Sequence, residues 1–128
     1  MTFLLDTHTL LWFLQDDPKL SPMARGSIQG PTHRVLVSIV SCWELAIKAR
    51  LGKMNFSEPV AALIKRELPA NRLELLPISL EHVTAVEHLP PHHKDLFDRL
   101  LIAQAIVEGV AVVGADAAFD AYPVRRIW

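Results

Sequence analysis

Short apolar runs alternate along the chain with longer segments in which apolar residues recur every three or four positions. The short runs are rich in branched side chains and predict five strands, over residues 2–5, 34–38, 73–76, 110–113 and 124–128. The longer segments predict six helices, over residues 7–14, 23–29, 39–51, 59–68, 79–87 and 97–108. Strands that alternate with helices in this way are typical of a parallel sheet covered by helices.

Capping residues mark several of the predicted helix ends. Ser21 followed by Pro22 is typical of an N-cap with proline at the first helical position. Gly52 and Gly109 stand where helices are expected to end. Pro69 is predicted to end the fourth helix at the residue before it.

The apolar positions also predict which helix faces are buried. In the helix over residues 39–51, the apolar stripe consists of Trp43, Ala46, Ile47 and Leu51. Trp43 is therefore predicted to belong to the core, although Trp12, Trp43 and Trp128 can all stack on bases. The apolar run at 10–14 exceeds what one small sheet can cover, which hints at a dimer or partner surface.

Composition and charge limit the fold and the possible partners. The chain has 128 residues, 51% of them hydrophobic and 21% charged, so one domain over residues 1–128 is expected. A single cysteine, Cys42, excludes an internal disulfide. With no apolar run near the ~20 residues that cross a bilayer and no leader-like start, a cytoplasmic protein is expected. The 13 basic and 14 acidic residues leave no bulk attraction for nucleic acid, which would need local patches or a metal.

Four acidic side chains are predicted to meet at one edge of the sheet. Asp6 follows the first strand, and Asp116 lies three residues beyond Val113 at the end of the fourth. Glu44 lies in the first turns of the helix after the second strand, and Asp98 begins the helix before the fourth. Because parallel strands all end at the same edge, the topology brings the four carboxylates together.

A cluster of carboxylates favours a divalent cation, because the negative charges otherwise repel one another. Hard oxygen ligands select Mg²⁺ or Mn²⁺. Such a metal can activate a water and stabilise the charge that develops on a phosphodiester. It also reverses the local charge that would repel phosphate, so metal-dependent nuclease chemistry is a candidate function.

Three of these acids also have a simple structural alternative. Asp6 can cap the helix that follows it, Asp98 can interact with a helix dipole, and Asp116 can be a turn residue. Together with the alternatives for Glu44 given next, these structural explanations need four coincidences at one edge of the sheet.

Glu44 has two structural alternatives. Residues 41–44 (SCWE) match a capping box in which Glu44 reaches back to the helix start. Lys48 is placed for an i,i+4 ion pair with Glu44. If Ser38 is the true cap, the box cannot form and Glu44 can face the cleft.

The segments that contain the four acids have the order and content of a known set of motifs. They are 4–12 (LLDTHTLLW), 37–48 (VSIVSCWELAIK), 92–105 (HHKDLFDRLLIAQA) and 112–116 (VVGAD), the last followed by Phe119 and Tyr122. Over essentially its whole length the chain resembles the PIN-domain ribonucleases, specifically the VapC-type toxins of bacterial and archaeal toxin–antitoxin pairs. The family's acidic positions correspond to Asp6, Glu44, Asp98 and Asp116.

The resemblance implies a fold, an activity and partners. The implied fold is a three-layer α/β/α PIN-like domain with a central parallel sheet. The implied function is that of the toxin of a type II toxin–antitoxin system, a Mg²⁺- or Mn²⁺-dependent endoribonuclease that cleaves RNA phosphodiester bonds by a metal-activated water. The four acids would hold the metal directly or through water, and the implied partners are a second copy of the chain and a cognate VapB-type antitoxin.

Five further residues are candidates for supporting roles. The hydroxyls of Thr7 and Ser38 can orient an acid or a water, with a local turn bond and a helix cap as the structural alternatives. Arg99 is placed beside the predicted site, where it can grip an RNA backbone. Asp95 and Asp120 are accessory acids, predicted to be a cap and a turn residue.

Two positions depart from the family pattern. Gly114 stands where the family often has Thr or Ser two residues before its last aspartate, so a hydroxyl that can orient a carboxylate or a water is missing. Leu96 stands where this subgroup often has proline, which affects only the entry into the helix. All four principal acids are present, so the resemblance predicts an active enzyme.

Three rival functions follow from the same residues. A zinc site is one, but the spacing fits no ligand pattern and predicts solvent-facing loop positions for His82, His88, His92 and His93. A phosphatase with Asp6 as its nucleophile would usually need a second acid two residues later, where the chain has His8. The third is a catalytically silent module on the same fold that binds RNA or antitoxin, which absent metal binding would favour.

Overall fold

A computed structural model describes residues 1–128 of the chain. Its strands are β1 Thr2–Leu5, β2 Arg34–Ser38, β3 Leu73–Leu76, β4 Ala111–Val113 and β5 Arg126–Ile127. Its α-helices are α1 Thr7–Leu14, α2 Pro22–Gln29, α3 Ile39–Arg50, α4 Val60–Ala70, α5 Leu80–Ala85 and α6 Leu96–Glu108. Short 3₁₀ helices cover Val86–His88 and Ala117–Ala121. None of the helices has the length and apolar character needed to cross a membrane.

The five strands form one parallel sheet in the order β3-β2-β1-β4-β5. β1 pairs with β2 on one side and β4 on the other, so Leu4 lies between Leu36 and Val112. The chain therefore adds β2 and β3 on one side of β1, and then β4 and β5 on the other side. A crevice opens at such a switch point, outside the carboxyl ends of β1 and β4.

Alternate residues of each strand face two separate hydrophobic cores, as the period of two requires. Phe3 and Leu5 belong to the core beneath α1, α2 and α4. Leu4 belongs to the core beneath α6. The predicted three-layer α/β/α arrangement around a central parallel sheet is confirmed.

α3 buries a different face from the one its apolar spacing predicts. Its buried residues are Val40, Ser41, Glu44 and Leu45. Trp43 is 55% exposed and packs edge-on against Phe97, with ring centroids 5.0 Å apart. The prediction that Trp43 belongs to the core is wrong, because the inner face of α3 meets polar groups at the edge of the sheet and carries polar residues to match.

The exposed apolar side chains of the chain also lie elsewhere than the sequence predicts. Trp12, Phe13 and Leu14 are half-buried against the larger core, so α1 is largely covered. Exposed apolar side chains occur instead on several other elements, among them Trp43 on α3, Leu80 and Val83 on α5 and Leu96 at the start of α6.

α4 runs through Pro69 to Ala70 rather than ending before the proline. A proline in the last turn removes only one helical hydrogen bond. Asn71 closes the helix in its place, because its backbone N–H and its side-chain Nδ2 both donate to the carbonyl oxygen of Glu67, at 3.1 and 2.8 Å.

A line of hydrogen bonds crosses the interior from α3 to the end of α6. Ser38 donates to Oε1 of the fully buried Gln104, whose Nε2 donates to Nδ1 of His82 at 3.3 Å. Nε2 of His82 then donates to Glu108 at 3.0 Å, while Nδ1 also accepts the N–H of Ser79. His82 is only 2% exposed, so the prediction of a solvent-facing loop is wrong for this histidine. Its ring satisfies buried donors that no apolar residue could satisfy.

Candidate metal centre

Asp6 occupies the carboxyl end of β1 and begins α1. Its Oδ1 accepts the backbone N–H of Thr9 at 2.8 Å, which is the N-cap bond of the helix. The side chain is nonetheless buried in the crevice, and burial raises its pKa against the effect of the Thr9 hydrogen bond. Asp6 therefore has both of the roles that the sequence analysis gave as alternatives. One oxygen caps α1, and the other lies at the switch point of the sheet.

Gly114 lies directly against the second oxygen of Asp6. A Cβ at this position would be 2.6 Å from Oδ2 and 3.0 Å from Cγ of Asp6, closer than van der Waals contact allows. The Asp6 carboxylate thus occupies the space that a side chain at position 114 would fill.

Replacing Gly114 by Ala or by Ser is expected to weaken divalent metal binding by on the order of tenfold, because either Cβ displaces the anchored carboxylate. Titration of each variant with Mg²⁺ measures the effect. Gly26→Ala is the matched control, since a Cβ there meets nothing within 4 Å. An improved affinity in Gly114→Ser would instead mean that the site lacks a hydroxyl.

Asp98 lies in the first turn of α6, on the other side of the crevice. Asp95 is the N-cap of this helix, and its Oδ1 accepts the N–H of Asp98 at 3.0 Å. Burial, together with the negative charges of Asp95, Asp6 and Glu44, raises the pKa of Asp98 from 3.8 to about 7, although His93 acts in the opposite direction. The pKa of Asp98 thus reports a local excess of negative charge in a poorly solvated place.

Asp116 follows β4 and caps the 3₁₀ helix Ala117–Ala121. Its Oδ1 accepts the N–H of Ala118 at 2.9 Å, and its Oδ2 accepts a hydrogen bond from Nε2 of His93, also at 2.9 Å. Burial would raise the pKa of Asp116, but these two hydrogen bonds and the positive charge of Arg126 lower it overall. Asp116 is therefore held as a carboxylate of fixed orientation.

His93 and Arg126 are site residues that the sequence reasoning missed. Nε2 of His93 lies 3.2 Å from Oδ2 of Asp98 as well as 2.9 Å from Oδ2 of Asp116. Its side chain is only 14% exposed, so the prediction of a solvent-facing loop is wrong for this histidine too. The available signal was its position five residues before Asp98, inside the third motif. Arg126 has no comparable signal, since only strand pairing brings it to the site.

Glu44 is buried beside the crevice but already has a cation. Its Oε2 lies 2.7 Å from Nζ of Lys48, one helical turn away. Ser38 caps α3 through the N–H of Val40, so the capping box over residues 41–44 does not form. Of the two alternatives for Glu44, the ion pair is present and the box is wrong.

The hydroxyls proposed to support the acids have other partners. Thr7 donates to Oγ of Ser41 at 3.0 Å, joining α1 to α3. Ser38 caps α3 and donates to Gln104. Neither hydroxyl is bonded to one of the four acids, and both serve the packing around the site.

Arg99 does not extend toward solvent to grip a substrate. Its guanidinium donates to the carbonyl oxygens of Pro90 at 3.0 Å, and of His93 and Leu89 at 3.3 Å each. Arg99 therefore fixes the loop before α6 and has few donors left for a phosphate. Asp120 is similarly engaged, since Arg126 donates to both its oxygens at 2.9 Å.

The four predicted acids thus meet at one edge of the sheet. Asp98 and Asp116 lie together with His93, and Asp6 and Glu44 lie near them. Ligand atoms of Asp98, Asp116 and His93 all lie within 4.8 Å of one another. Asp6 lines a 320 Å³ cavity together with Asp116, and each of Asp6 and Glu44 raises the pKa of Asp98 by its charge. The carboxylate oxygens match the donor chemistry of Mg²⁺ or Mn²⁺.

Comparison with known proteins agrees with this architecture. The sequence model of the PIN domain matches residues 3–124. No curated protein sequence matches the chain. Among solved structures, VapBC2 from Rickettsia felis, bound to a DNA fragment from the promoter, superposes with a TM-score of 0.75 at 17% identity, covering 98% of this chain and 97% of that one.

Two further structures give the same result. DNA-bound VapBC from Salmonella typhimurium has a TM-score of 0.73 at 21% identity, covering 98% of this chain and 96% of that chain. FitAcB from Neisseria gonorrhoeae has a TM-score of 0.67 at 19% identity, covering 97% and 95%. With a family match over nearly its whole length and a sheet that ends in the expected acids, this chain belongs to the PIN domain family.

Proposed function

We propose that this protein is a metal-dependent endoribonuclease and the toxin of a type II toxin–antitoxin pair. The observation that carries the proposal is the meeting of Asp98 and Asp116 at the switch point of the sheet, with ligand atoms within 4.8 Å. These two acids come from different elements, and Asp98 has a pKa raised to about 7 by burial and by neighbouring negative charge. A structural cap needs neither feature.

Asp98, Asp116 and Asp6 are the residues that would hold a divalent ion, with Glu44 beside them. When bound, Mg²⁺ or Mn²⁺ supplies a more acidic water and stabilises negative charge on a phosphodiester. Asp98 must lose its proton to act as a ligand, and Asp6 keeps its Oδ2 directed over Gly114. Lys48 neutralises Glu44, which limits the repulsion that a phosphate meets beside the site.

RNA as the substrate is supported by an aromatic pair near the acids, formed by the exposed Trp43 and the half-buried Phe97. Trp43 and Phe97 are the immediate sequence neighbours of Glu44 and Asp98, and their rings pack edge-on at 5.0 Å. An exposed indole offers a stacking surface to an unpaired base, worth about 1–3 kcal/mol per base. A net charge of −1 gives no general attraction for polyanions, so such local contacts would have to bind the strand.

The proposed partners are a VapB-type antitoxin and a second copy of the chain. The structures of similar fold are VapBC and FitAB assemblies, which supports an antitoxin partner here. Trp43 of α3, Leu51 just after α3 and Leu96 of α6 are exposed apolar side chains and are candidates for either surface. Sedimentation of the purified chain tests the homodimer, and co-purification with the product of a neighbouring gene tests the antitoxin.

A catalytically silent binding module on the same fold is the second candidate function. The Glu44–Lys48 ion pair favours it, because one of the four acids is already neutralised without a metal. A module of this kind would bind RNA or antitoxin and leave RNA intact in every metal.

The deciding experiment incubates cellular RNA with the protein in Mg²⁺, in Mn²⁺ and in EDTA, and maps the new ends. We expect cleavage with either metal, none in EDTA, and loss of cleavage in Asp6→Asn. Asparagine keeps the N-cap bond to Thr9, so the fold of this variant is preserved. Asp16→Asn is the control, because this exposed aspartate has φ of +50°, which asparagine tolerates, and lies at the far end of α1. Cleavage that persists in EDTA or in Asp6→Asn would contradict the proposal.

A further inference from the structure

The hydrogen bonds of His93 determine which of its ring nitrogens carries the proton. Nδ1 accepts the backbone N–H of Asp95 at 3.1 Å, so in the neutral ring the proton lies on Nε2. Nε2 faces Oδ2 of Asp116 at 2.9 Å and Oδ2 of Asp98 at 3.2 Å. The ring therefore presents a donor to both carboxylates. Metal ligation through Nε2 would need the opposite tautomer, which would set an Nδ1–H against the Asp95 N–H.

Contacts outside the pair of acids hold both the backbone and the ring of His93. Its backbone N–H donates to the hydroxyl of Tyr122 at 2.8 Å, and that hydroxyl donates to the carbonyl oxygen of Pro90 at 2.8 Å. Its carbonyl oxygen accepts from Arg99 at 3.3 Å. The ring edge packs against Phe119, with centroids 5.9 Å apart. The direction of the Nε2–H is thus fixed by the loop and not by the acids alone.

We propose that His93 is a positioning residue that joins Asp98 to Asp116 through its Nε2–H and thereby sets the geometry of the metal site. Gly114 has no side chain and the space around its Cα is filled by Asp6, so no hydroxyl from that position orients the acids. Arg99 and Tyr122 act through His93 by fixing its loop. This inference rests on the proposed function, because the geometry it explains is that of the proposed metal site.

The experiment titrates Mn²⁺ into the full-length protein and into three variants at one fixed pH above 7, by calorimetry. His93→Ala is expected to bind Mn²⁺ about tenfold more weakly, as is typical when an outer-shell hydrogen bond to a ligand is lost. His93→Gln places an amide N–H near the position of Nε2 and is expected to recover affinity to within about threefold of the unaltered protein. His88→Ala is the control, since this exposed histidine lies near the exposed Glu87 and contacts none of the four acids of the site.

Kinetics with RNA give a second readout. His93→Ala should lower kcat about tenfold while KM for RNA stays unchanged, because the side chain orients metal ligands and does not touch the substrate. Tyr122→Phe, which removes the hydroxyl that accepts the His93 N–H, should act in the same direction with a smaller effect.

The outcomes separate this inference from the proposed nuclease function. If the unaltered protein cleaves no RNA, the nuclease proposal fails and the Mn²⁺ titration alone decides on His93. Unchanged Mn²⁺ affinity in a folded His93→Ala overturns the inference, as does a folded His93→Gln that is no better than His93→Ala. Failure of the unaltered protein to bind Mn²⁺ overturns both.

Discussion

Replacing Asp98 by Asn is expected to reduce metal-dependent RNA cleavage at least about 100-fold, equivalent to about 3 kcal/mol of transition-state stabilisation. The amide preserves shape but removes a negative charge from the place where oxygens of Asp98 and Asp116 lie within 4.8 Å of each other. In EDTA the same variant should be at least as thermally stable as the unaltered protein, because a buried group surrounded by like charges has become neutral. Single-turnover cleavage and thermal unfolding measure the two effects.

Asp95→Asn is the matched control for this prediction. Asp95 lies in the same helical turn and is exposed, and its Oδ1 accepts the N–H of Asp98 as an N-cap. Asparagine caps a helix as well as aspartate does, so cleavage should stay within about threefold of the unaltered rate. If both variants lose activity equally, the loss is not specific to Asp98, and the assignment of Asp98 as a metal ligand is wrong.

Divalent metal affinity is expected to fall steeply below neutral pH, by about tenfold for each pH unit below 7. The pKa of Asp98 is about 7 in the folded protein, and its proton must leave before a cation can bind. Calorimetric titration of Mg²⁺ between pH 5.5 and 8 measures this dependence. In Asp98→Asn the slope should be much smaller, while Asp16→Asn should reproduce the unaltered protein.

The same pKa predicts the sign of the stability change in the absence of metal. Because the folded-state pKa of Asp98 lies above its ordinary value of 3.8, folding favours the neutral acid. The stabilisation is fully present below about pH 3.8 and is lost as the pH rises through about 7. In EDTA the contribution of Asp98 to the melting temperature should therefore decline between pH 4 and 8, and Mg²⁺ should restore stability at the upper end. A pH-independent difference between Asp98→Asn and the unaltered protein would contradict this assignment.

The fold was predictable because its strands and helices follow from patterns of apolar and capping residues that are local in the sequence. Runs of branched apolar residues such as 34–38 mark strands that are buried on both faces, and Ser21 and Gly109 mark helix ends through local capping bonds that the structure contains. The family motifs added the layer order, which local patterns alone leave open. One error concerns Pro69, where the helix continues for one more residue and Asn71 closes it by donating to the carbonyl oxygen of Glu67.

The face of α3 shows why local rules fail near a site. Trp43 and Leu51 form the more apolar face and would be buried if hydrophobicity alone decided. The helix instead begins at the carboxyl edge of the sheet, where its inner face meets Thr7 and carries Ser41 and Glu44. The inner face of α3 therefore buries Ser41 and Glu44, and Trp43 is left exposed on the outer face.

The sequence by itself determined which acids are present, their order and the parallel sheet that brings them to one edge, because strand direction and helix spacing follow from local residue patterns. Only the tertiary structure decided their surroundings: Glu44 paired with Lys48, Asp6 seated in the space that Gly114 leaves, and His93 between Asp98 and Asp116. Hydrogen bonds and charges act over a few ångströms in space and take no account of distance along the chain. The partners that set the pKa and orientation of each acid therefore become visible only in the folded molecule.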